Sequence, residues 1–429
     1  MSHRIHPPIA YNISRLASRI FSRTPNGIDR VDMAYAQRFL GEEGDQDCGL
    51  LYLGPFGTRV VSKEKAARAI SGIEAHFGEA AAAADPGVLR AVAAWTVGLA
   101  EKPRISPKAR RRHPGAPTVA GYTLATIAAA GRRAAAALPA RARYLCVSQF
   151  PLSETGAYDW LASRPDVKAC FFIHDLLPLQ YPEYFRRPEL ARHQRRLAQL
   201  ARVGAGALVS TQQVAIALRA EMARLGRVDF PIHIAPMPMA AGFTPGPTAP
   251  ELQGAAPYFI QCGTIEPRKN HLTILHAWRD MAMSLGAQTP KLILVGARGW
   301  ENENVLDLLD RSPAIAEHVL ELRGINTPTL VALMRGARAL LMPSFAEGYG
   351  LPIMEALAVG TPVIASDIPV FQDIAAGRVL NLHPLNGLAW RNAIAASAVE
   401  PGLQPSAGAP PAVVGPLAFS GVDDFLASL

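Results

Sequence analysis

Apolar and polar positions fall into short alternating blocks along most of the chain. RYLCVS (143–148), ACFFI (169–173) and GALVS (206–210) are compact apolar runs that predict buried strands. Residues 188–203 and 212–225, which follow two of these runs, have a near-helical apolar period and predict helices. Near the start, PIAYNI (8–13) predicts a first strand. A helix is expected from Asp29, with Val31, Ala34, Tyr35 and Phe39 along one side. The Ala-rich stretch 64–100 also reads as helical.

The alternation is clearest after residue 257. Strands are predicted at YFIQC (258–262), LILV (292–295), VLELRG (319–324), ALLMP (339–343) and PVIAS (362–366). Helices are predicted from Leu272, near 302–311, at 327–336, from Leu351 and near 370–376. Strands that are apolar throughout and separated by helices predict a parallel sheet covered on both faces. Between the two series, residues 236–257 are proline-rich and aperiodic, so a domain boundary is expected near 240–256. A chain of 429 residues suits two domains of roughly 200 residues each. The expected division is 1–245, 246–400, and a tail, 401–429, made of a flexible Pro/Gly/Ala segment and a terminal helix that docks back.

Charge changes this picture by separating the halves. Residues 1–245 carry 32 Lys and Arg against 19 Asp and Glu, whereas 246–429 carry 11 against 16. A basic first half suits an anionic partner: a phospholipid surface, a lipid diphosphate or nucleic acid. The proline-rich basic loop 101–117, with Arg110-Arg111-Arg112-His113, is either solvated or in contact with anionic lipid. No aromatic residue interleaves with these charges, which argues against a platform for single-stranded nucleic acid. No apolar stretch of about 18 residues predicts a membrane span, and the N-terminus lacks the apolar run of a secretory signal. A cytoplasmic protein, peripheral on the inner face of the membrane, is expected. Cys48, Cys146, Cys170 and Cys262 form no CxxC pair and read as free, mostly buried thiols.

Two segments carry candidate chemistry. In Ser344-Phe-Ala-Glu347-Gly348-Tyr349-Gly350-Leu351-Pro-Ile-Met-Glu355, a strand leads into a helix start whose N–H groups suit a diphosphate. Glu347 and Glu355 suit sugar and ribose hydroxyls and are poorly matched to phosphate. In Gly263-Thr-Ile-Glu-Pro-Arg268-Lys269-Asn270, two cations leave the carboxyl edge of a strand, where open α/β sheets bind ligands. Arg268 and Lys269 can stabilise a departing diphosphate without metal. Arg323 and Gly324 end another strand at that edge and join the donor-binding set. In the first half, His174 and Asp175 directly follow a strand. SRTPNGIDRV places Gly27 and Arg30 before or within the first helix, where Asp29 can act as a cap. Asp45-Gln-Asp47 lies in an acidic loop without strand context and reads as solvated. Gly204-Ala-Gly206 precedes a strand and is not a dinucleotide fingerprint.

GTIEPRKN together with SFAEGYGLPIMEALAVGTPVIAS resembles glycosyltransferase family 4, closely over 255–380 and more loosely in the first half. The resemblance is to bacterial polysaccharide-assembling, mannosyltransferase-like members. It implies a GT-B fold, in which two Rossmann-like domains face one another across a cleft. It implies a retaining, metal-independent transferase acting on a lipid-diphosphate-linked saccharide in exopolysaccharide, capsule or O-antigen synthesis. The sugar it implies is mannose, from GDP-mannose, with no cofactor and no nucleic acid. Glu355 would bind ribose, Glu347 would lie near the donor sugar, and Arg268 and Lys269 would bind the diphosphate. Gly350 and Leu351 would offer it N–H groups, with Gly263, Gly348 and Tyr349 also donor-side. His174 would face the donor sugar, and Gly27, Arg30 and Asp175 would lie on the acceptor side. Thr264 stands where many relatives carry an Arg. Other enzyme readings of the same architecture are a nucleotide-sugar epimerase and a phosphorylase. A basic nucleic-acid-binding protein is a reading from another class, and it leaves the glutamate motif unexplained.

Overall fold

A computed structural model describes residues 7–19, 25–41, 47–77, 83–103, 131–239, 242–400, 419 and 421–429. Arg110–His113, Asp45 and residues 401–416 lie outside these.

The chain forms two Rossmann-like α/β domains, the GT-B architecture. The first sheet contains β1 (Ile9–Asn12), β2 (Cys48–Tyr52), β3 (Thr58–Ser62), β4 (Arg143–Cys146), β5 (Lys168–Ile173), β6 (Gly204–Val209) and β7 (Ile232–Ile234), in the order β3-β2-β1-β4-β5-β6-β7. All neighbours are parallel except β2 and β3. The second sheet contains β8 (Tyr258–Cys262), β9 (Lys291–Val295), β10 (Val319–Leu322), β11 (Ala339–Met342), β12 (Val363–Ser366) and β13 (Leu380–Leu382), in the order β10-β9-β8-β11-β12-β13, parallel throughout. The central strands are buried along their length, as their unbroken apolar sequences require.

Local chemistry moves several boundaries. The first long helix spans Gly27–Leu40, not from Asp29. Its cap is Asn26, whose side chain accepts from the Asp29 N–H at 2.9 Å while Asp29 accepts from the Asn26 N–H at 3.0 Å. Asp29 is thus the third helical residue of a capping box. The stretch 64–100 contains two helices, Lys63–Phe77 and Pro86–Thr96. Asp85 and Pro86 begin the second, with Asp85 capping the N–H groups of Gly87 and Val88. The strands β2, β3, β7 and β13 and the helix Gly387–Val399 add to the expected elements.

Two helices pack across the expected divisions. Pro86–Thr96 lies within 1–245, yet Leu89, Val92 and Trp95 join the apolar cluster of Leu252, Tyr258 and Leu333 beside the second sheet. The Asp85 N–H donates to Thr329 Oγ1 at 2.8 Å, and Thr96 Oγ1 accepts from the Ala256 N–H at 3.2 Å. Conversely, the tail helix Val422–Ser428 docks on the first domain. Val422 and Leu426 pack with Tyr35 and Phe39, Arg143 Nε donates to the Leu426 carbonyl at 2.8 Å, and Phe425 stacks on His233. Gly206 accommodates it, because a Cβ there would meet Leu429 Cδ2 at 2.8 Å. All four cysteines are free and buried. Among the described residues, no helix is long and apolar enough to cross a membrane.

Candidate functional site

In the second sheet the strand order reverses between β8 and β11, which opens a crevice at their carboxyl ends. The loops after these two strands carry the two sequence motifs. Gly263 leaves β8 at φ +135°, and a Cβ there would meet Lys269 Cε at 3.3 Å. A side chain would therefore obstruct the path of the lysine. Pro267–Lys269 form one tight turn, and Asn270 follows in the left-handed region at φ 52°. Asn270 Nδ2 donates to the carbonyls of Pro343 at 3.0 Å and Pro384 at 2.9 Å, tying this turn to the loop after β11. Phe345 N–H donates to the Arg268 carbonyl at 2.9 Å and fastens the two loops a second time.

Arg268, Lys269 and Glu347 meet in this crevice. Lys269 Nζ donates to Glu347 Oε1 at 2.5 Å, Ser344 Oγ donates to the same oxygen at 2.8 Å, and Arg268 Nη1 pairs with Oε2. Arg268 Nη2 reaches Glu266 Oε1 at 2.5 Å, and its Nη1 also reaches the Ala346 carbonyl at 3.1 Å. Burial alone would raise the Glu347 carboxyl, but the two cations hold it down at about 2, so it stays ionised. Burial pushes the Lys269 ammonium down from its ordinary value. The two cations therefore do not await a ligand unpaired. Among the described residues, Arg268 is pinned between two carboxylates with its Nε left without a partner, and Lys269 uses one of its three N–H donors.

The helix Leu351–Val359 starts beside this cluster. Gly350 caps it at φ +109°, and a Cβ there would meet Phe371 Cε1 at 2.8 Å. Glu355 is buried within it and accepts from Arg30 Nη1 at 3.0 Å, while Arg30 Nη2 reaches Thr327 Oγ1 at 3.3 Å. Arg30, expected on the acceptor side, thus crosses the cleft to the residue expected to bind ribose. Gly27 faces the same helix, since a Cβ there would lie 3.1 Å from Leu351 Cδ1.

The first domain's wall is equally close at Gly348. A Cβ on that residue would meet the His174 carbonyl at 2.7 Å and Asp175 Cβ at 2.8 Å. Ser210 and Thr211 hydroxyls donate to the Gly348 carbonyl at 3.3 and 3.4 Å. His174 Nε2 bonds to the Val147 carbonyl at 2.7 Å, and its ring stacks on Phe172 at 4.7 Å. A carbonyl only accepts, so Nε2 carries the proton. Burial lowers the ring's pKa to about 4, which keeps it neutral near pH 7. Nδ1 is then a buried bare acceptor without a protein partner among the described residues. Asp175 Oδ1 accepts from the Leu177 N–H at 3.1 Å.

Other expected site residues are placed differently. Tyr349, grouped with the donor-binding residues, packs in the first domain's apolar cluster with Met237, whose backbone bonds its hydroxyl. It is an anchor between domains. Arg323 pairs with Glu321 at 3.0 Å, and Gly324 follows β10 at the sheet's edge; among the described residues, no hydrogen bond or ion pair joins Arg323 to the Glu347 cluster. Glu266 and Ser344 complete the cluster, and their only signal in the sequence is their place near Arg268 and Glu347. Asp29 is a buried carboxylate gripped by Arg15 Nε at 2.9 Å and Arg19 Nε at 2.7 Å. Among the described residues, no three His, Cys, Asp or Glu side chains gather to hold a metal ion.

Residues 248–388 match the family model described as glycosyl transferases group 1. The serotype-specific mannosyltransferase WbdA of Escherichia coli is 31% identical over 220 residues, covering 48% of this chain and 27% of that protein. The O-antigen chain mannosyltransferase B of Escherichia coli is 35% identical over 127 residues, covering 30% and 33%. The matched region thus spans a third or less of either relative's length. Sucrose-phosphate synthase from Thermosynechococcus elongatus aligns with a TM-score of 0.50 at 19% identity, over 67% of this chain and 69% of that one, a likeness of fold.

Proposed function

We infer that this chain, whose second domain belongs to the glycosyl transferases group 1 family, transfers a sugar from a nucleoside diphosphate donor to a saccharide acceptor with retention of configuration. The names of the relatives support mannose as the sugar and an O-antigen-type chain as the acceptor; GDP-mannose as the donor and a lipid-diphosphate linkage of the acceptor are part of the proposal. The basic first half suits an acceptor held at an anionic membrane surface. The observation that carries the reading is the meeting of Lys269, Arg268 and Glu347 beside the Gly350 helix start, at the strand-order reversal.

The mechanism follows from donors and acceptors. The two unused N–H groups of Lys269 and the start of the Leu351–Val359 helix face a departing diphosphate. Arg268 holds Glu347 and Glu266 through its Nη atoms, and its Nε, a buried donor without a partner among the described residues, remains for a phosphate oxygen. Glu347, kept ionised, accepts from a sugar hydroxyl. His174 Nδ1, a bare acceptor, takes another from the opposite wall. Glu355 accepts ribose hydroxyls, with Arg30 yielding or sharing its bond. The anomeric C–O bond to the diphosphate breaks as the acceptor hydroxyl attacks from the same face, its proton passing to the departing diphosphate oxygen, which preserves the anomeric configuration.

The test is a thermal-shift series with GDP, UDP and ADP, followed by transfer from the winning nucleotide's mannose or glucose donor to an oligosaccharide. A shift for GDP above the others, and an α-linked product by NMR, are expected. A panel without any shift, or free sugar formed with acceptor present and no linked product, would end this reading.

A further inference from the structure

The segment after Asp175 brings a row of aromatic rings to the rim of the cleft. Tyr181 and Tyr184 stack with centroids 6.0 Å apart and planes 23° apart. Tyr184 then stacks on Phe345 of the second domain at 5.6 Å and 11°. Phe345 lies two residues before Glu347, and its N–H donates to the Arg268 carbonyl. The row therefore begins against the ion-pair cluster and ends on Tyr181, which is 39% exposed. Trp300 Nε1 donates to the Tyr184 carbonyl at 3.2 Å, and the Arg186 guanidinium lies 5.1 Å over the Trp300 ring, so the segment is held from the second domain. Neither tyrosine hydroxyl has a protein partner among the described residues.

Stacked rings also occur in the interior, as where Tyr11 lies on Phe39 at 24°, but the rim row is set apart by ending on an exposed ring. Other buried rings such as Tyr35 with Phe172 and Tyr144 with Tyr158 meet at 78° and 81°, edge to face. The rim rings instead lie nearly parallel and lead from the reaction centre into solvent. A pyranose offers a flat C–H face and a rim of hydroxyls. An aromatic face is apolar and slightly negative, which attracts C–H groups, and a phenol hydroxyl can bond the rim.

Resting on the transferase reading, we propose that the exposed face of Tyr181, backed by the stacked rings of Tyr184 and Phe345, forms a saccharide-binding track for the acceptor, carrying a sugar residue beyond the one that is glycosylated. The track makes the protein prefer longer acceptors. Because Tyr184 and Phe345 belong to different domains, it is complete only while the cleft is closed.

The test uses the full chain with Tyr181→Ala and Tyr181→Phe, titrated with manno-oligosaccharides from mono- to tetrasaccharide and followed by NMR saturation transfer. GDP, UDP and ADP binding is measured in parallel. Wild-type affinity is expected to rise with length. Tyr181→Ala should lose roughly three- to tenfold for the tetrasaccharide, with nucleotide binding intact and little change for mannose; Tyr181→Phe should retain most of the affinity. Equal loss at every length, no length dependence in the wild type, or weakened nucleotide binding in Tyr181→Ala would overturn the track. Length-dependent saccharide binding in a chain that binds no nucleoside diphosphate would instead overturn the transferase reading and leave the track standing.

Discussion

Lys269 and Glu347, 78 positions apart, meet as a buried ion pair at 2.5 Å, and Arg268 closes the other side of the same carboxylate. Glu347→Gln removes the shared counter-charge and leaves two cations facing a neutral amide. Breaking a buried pair from one side costs about 3–5 kcal/mol. Urea unfolding should show a loss of that order, together with transfer reduced to near background. Unchanged stability would mean that the cluster is more hydrated than its burial indicates.

Gly348→Ala tests how closely the two walls fit. The new methyl would meet the His174 carbonyl at 2.7 Å, a backbone atom that cannot swing aside. The domains should wedge apart. Transfer should fall at least tenfold, and small-angle scattering should report a larger radius of gyration, while the isolated nucleotide binds within a few-fold of wild type. Full activity in Gly348→Ala would show that the walls separate during turnover.

Arg30 and Glu355 invite a double-mutant cycle. A hydrogen bond between charged groups contributes about 1.5–3 kcal/mol, and this one joins two domains with both side chains largely shielded. Arg30→Ala and Glu355→Ala should couple by about 1–3 kcal/mol in chemical denaturation. Coupling near zero would place the two residues apart in solution.

Asp32 sets a pH dependence. Burial raises its carboxyl to about 7, against the opposing hydrogen bond from the Tyr11 hydroxyl. A carboxyl with a folded pKa above its unfolded value binds more protons when folded. Stability from this group is therefore fully present below about pH 4 and is lost as pH rises toward 7. Asp32→Asn keeps the shape without the charge. It should raise Tm most at pH 8, less at pH 5 and little below pH 4, and a Tm gain equal at all three pH values would contradict the assignment.

The second domain was the more legible in the sequence, and the reason is physical. A strand covered on both faces must be apolar along its length, so YFIQC and ALLMP announce themselves. β2 and β3 did not, because they form an antiparallel pair at the sheet's edge and β3 buries only Thr58 and Val61 among its residues. The motif from Ser344 to Glu355 was readable because its parts are local. Arg30 with Glu355, 325 positions apart, was not, because a long-range ion pair leaves no periodic trace. Tyr349 was read with the donor residues for its place in the motif, but its ring satisfies the opposite domain's core. The pairing of Arg268 with Glu266 and Glu347 was not legible either, because one carboxylate lies just before it and the other in a distant loop.

The helix Pro86–Thr96 seated beside the second sheet and the helix Val422–Ser428 seated on the first have a practical corollary. Scissors placed at 240–256 would not yield two self-sufficient halves. The front piece would carry Leu89, Val92 and Trp95 with nothing to cover them, and would lack the lid over Tyr35 and Phe39. Each fragment would be sticky where its missing neighbour belongs, and mixing the two should restore solubility that neither has alone.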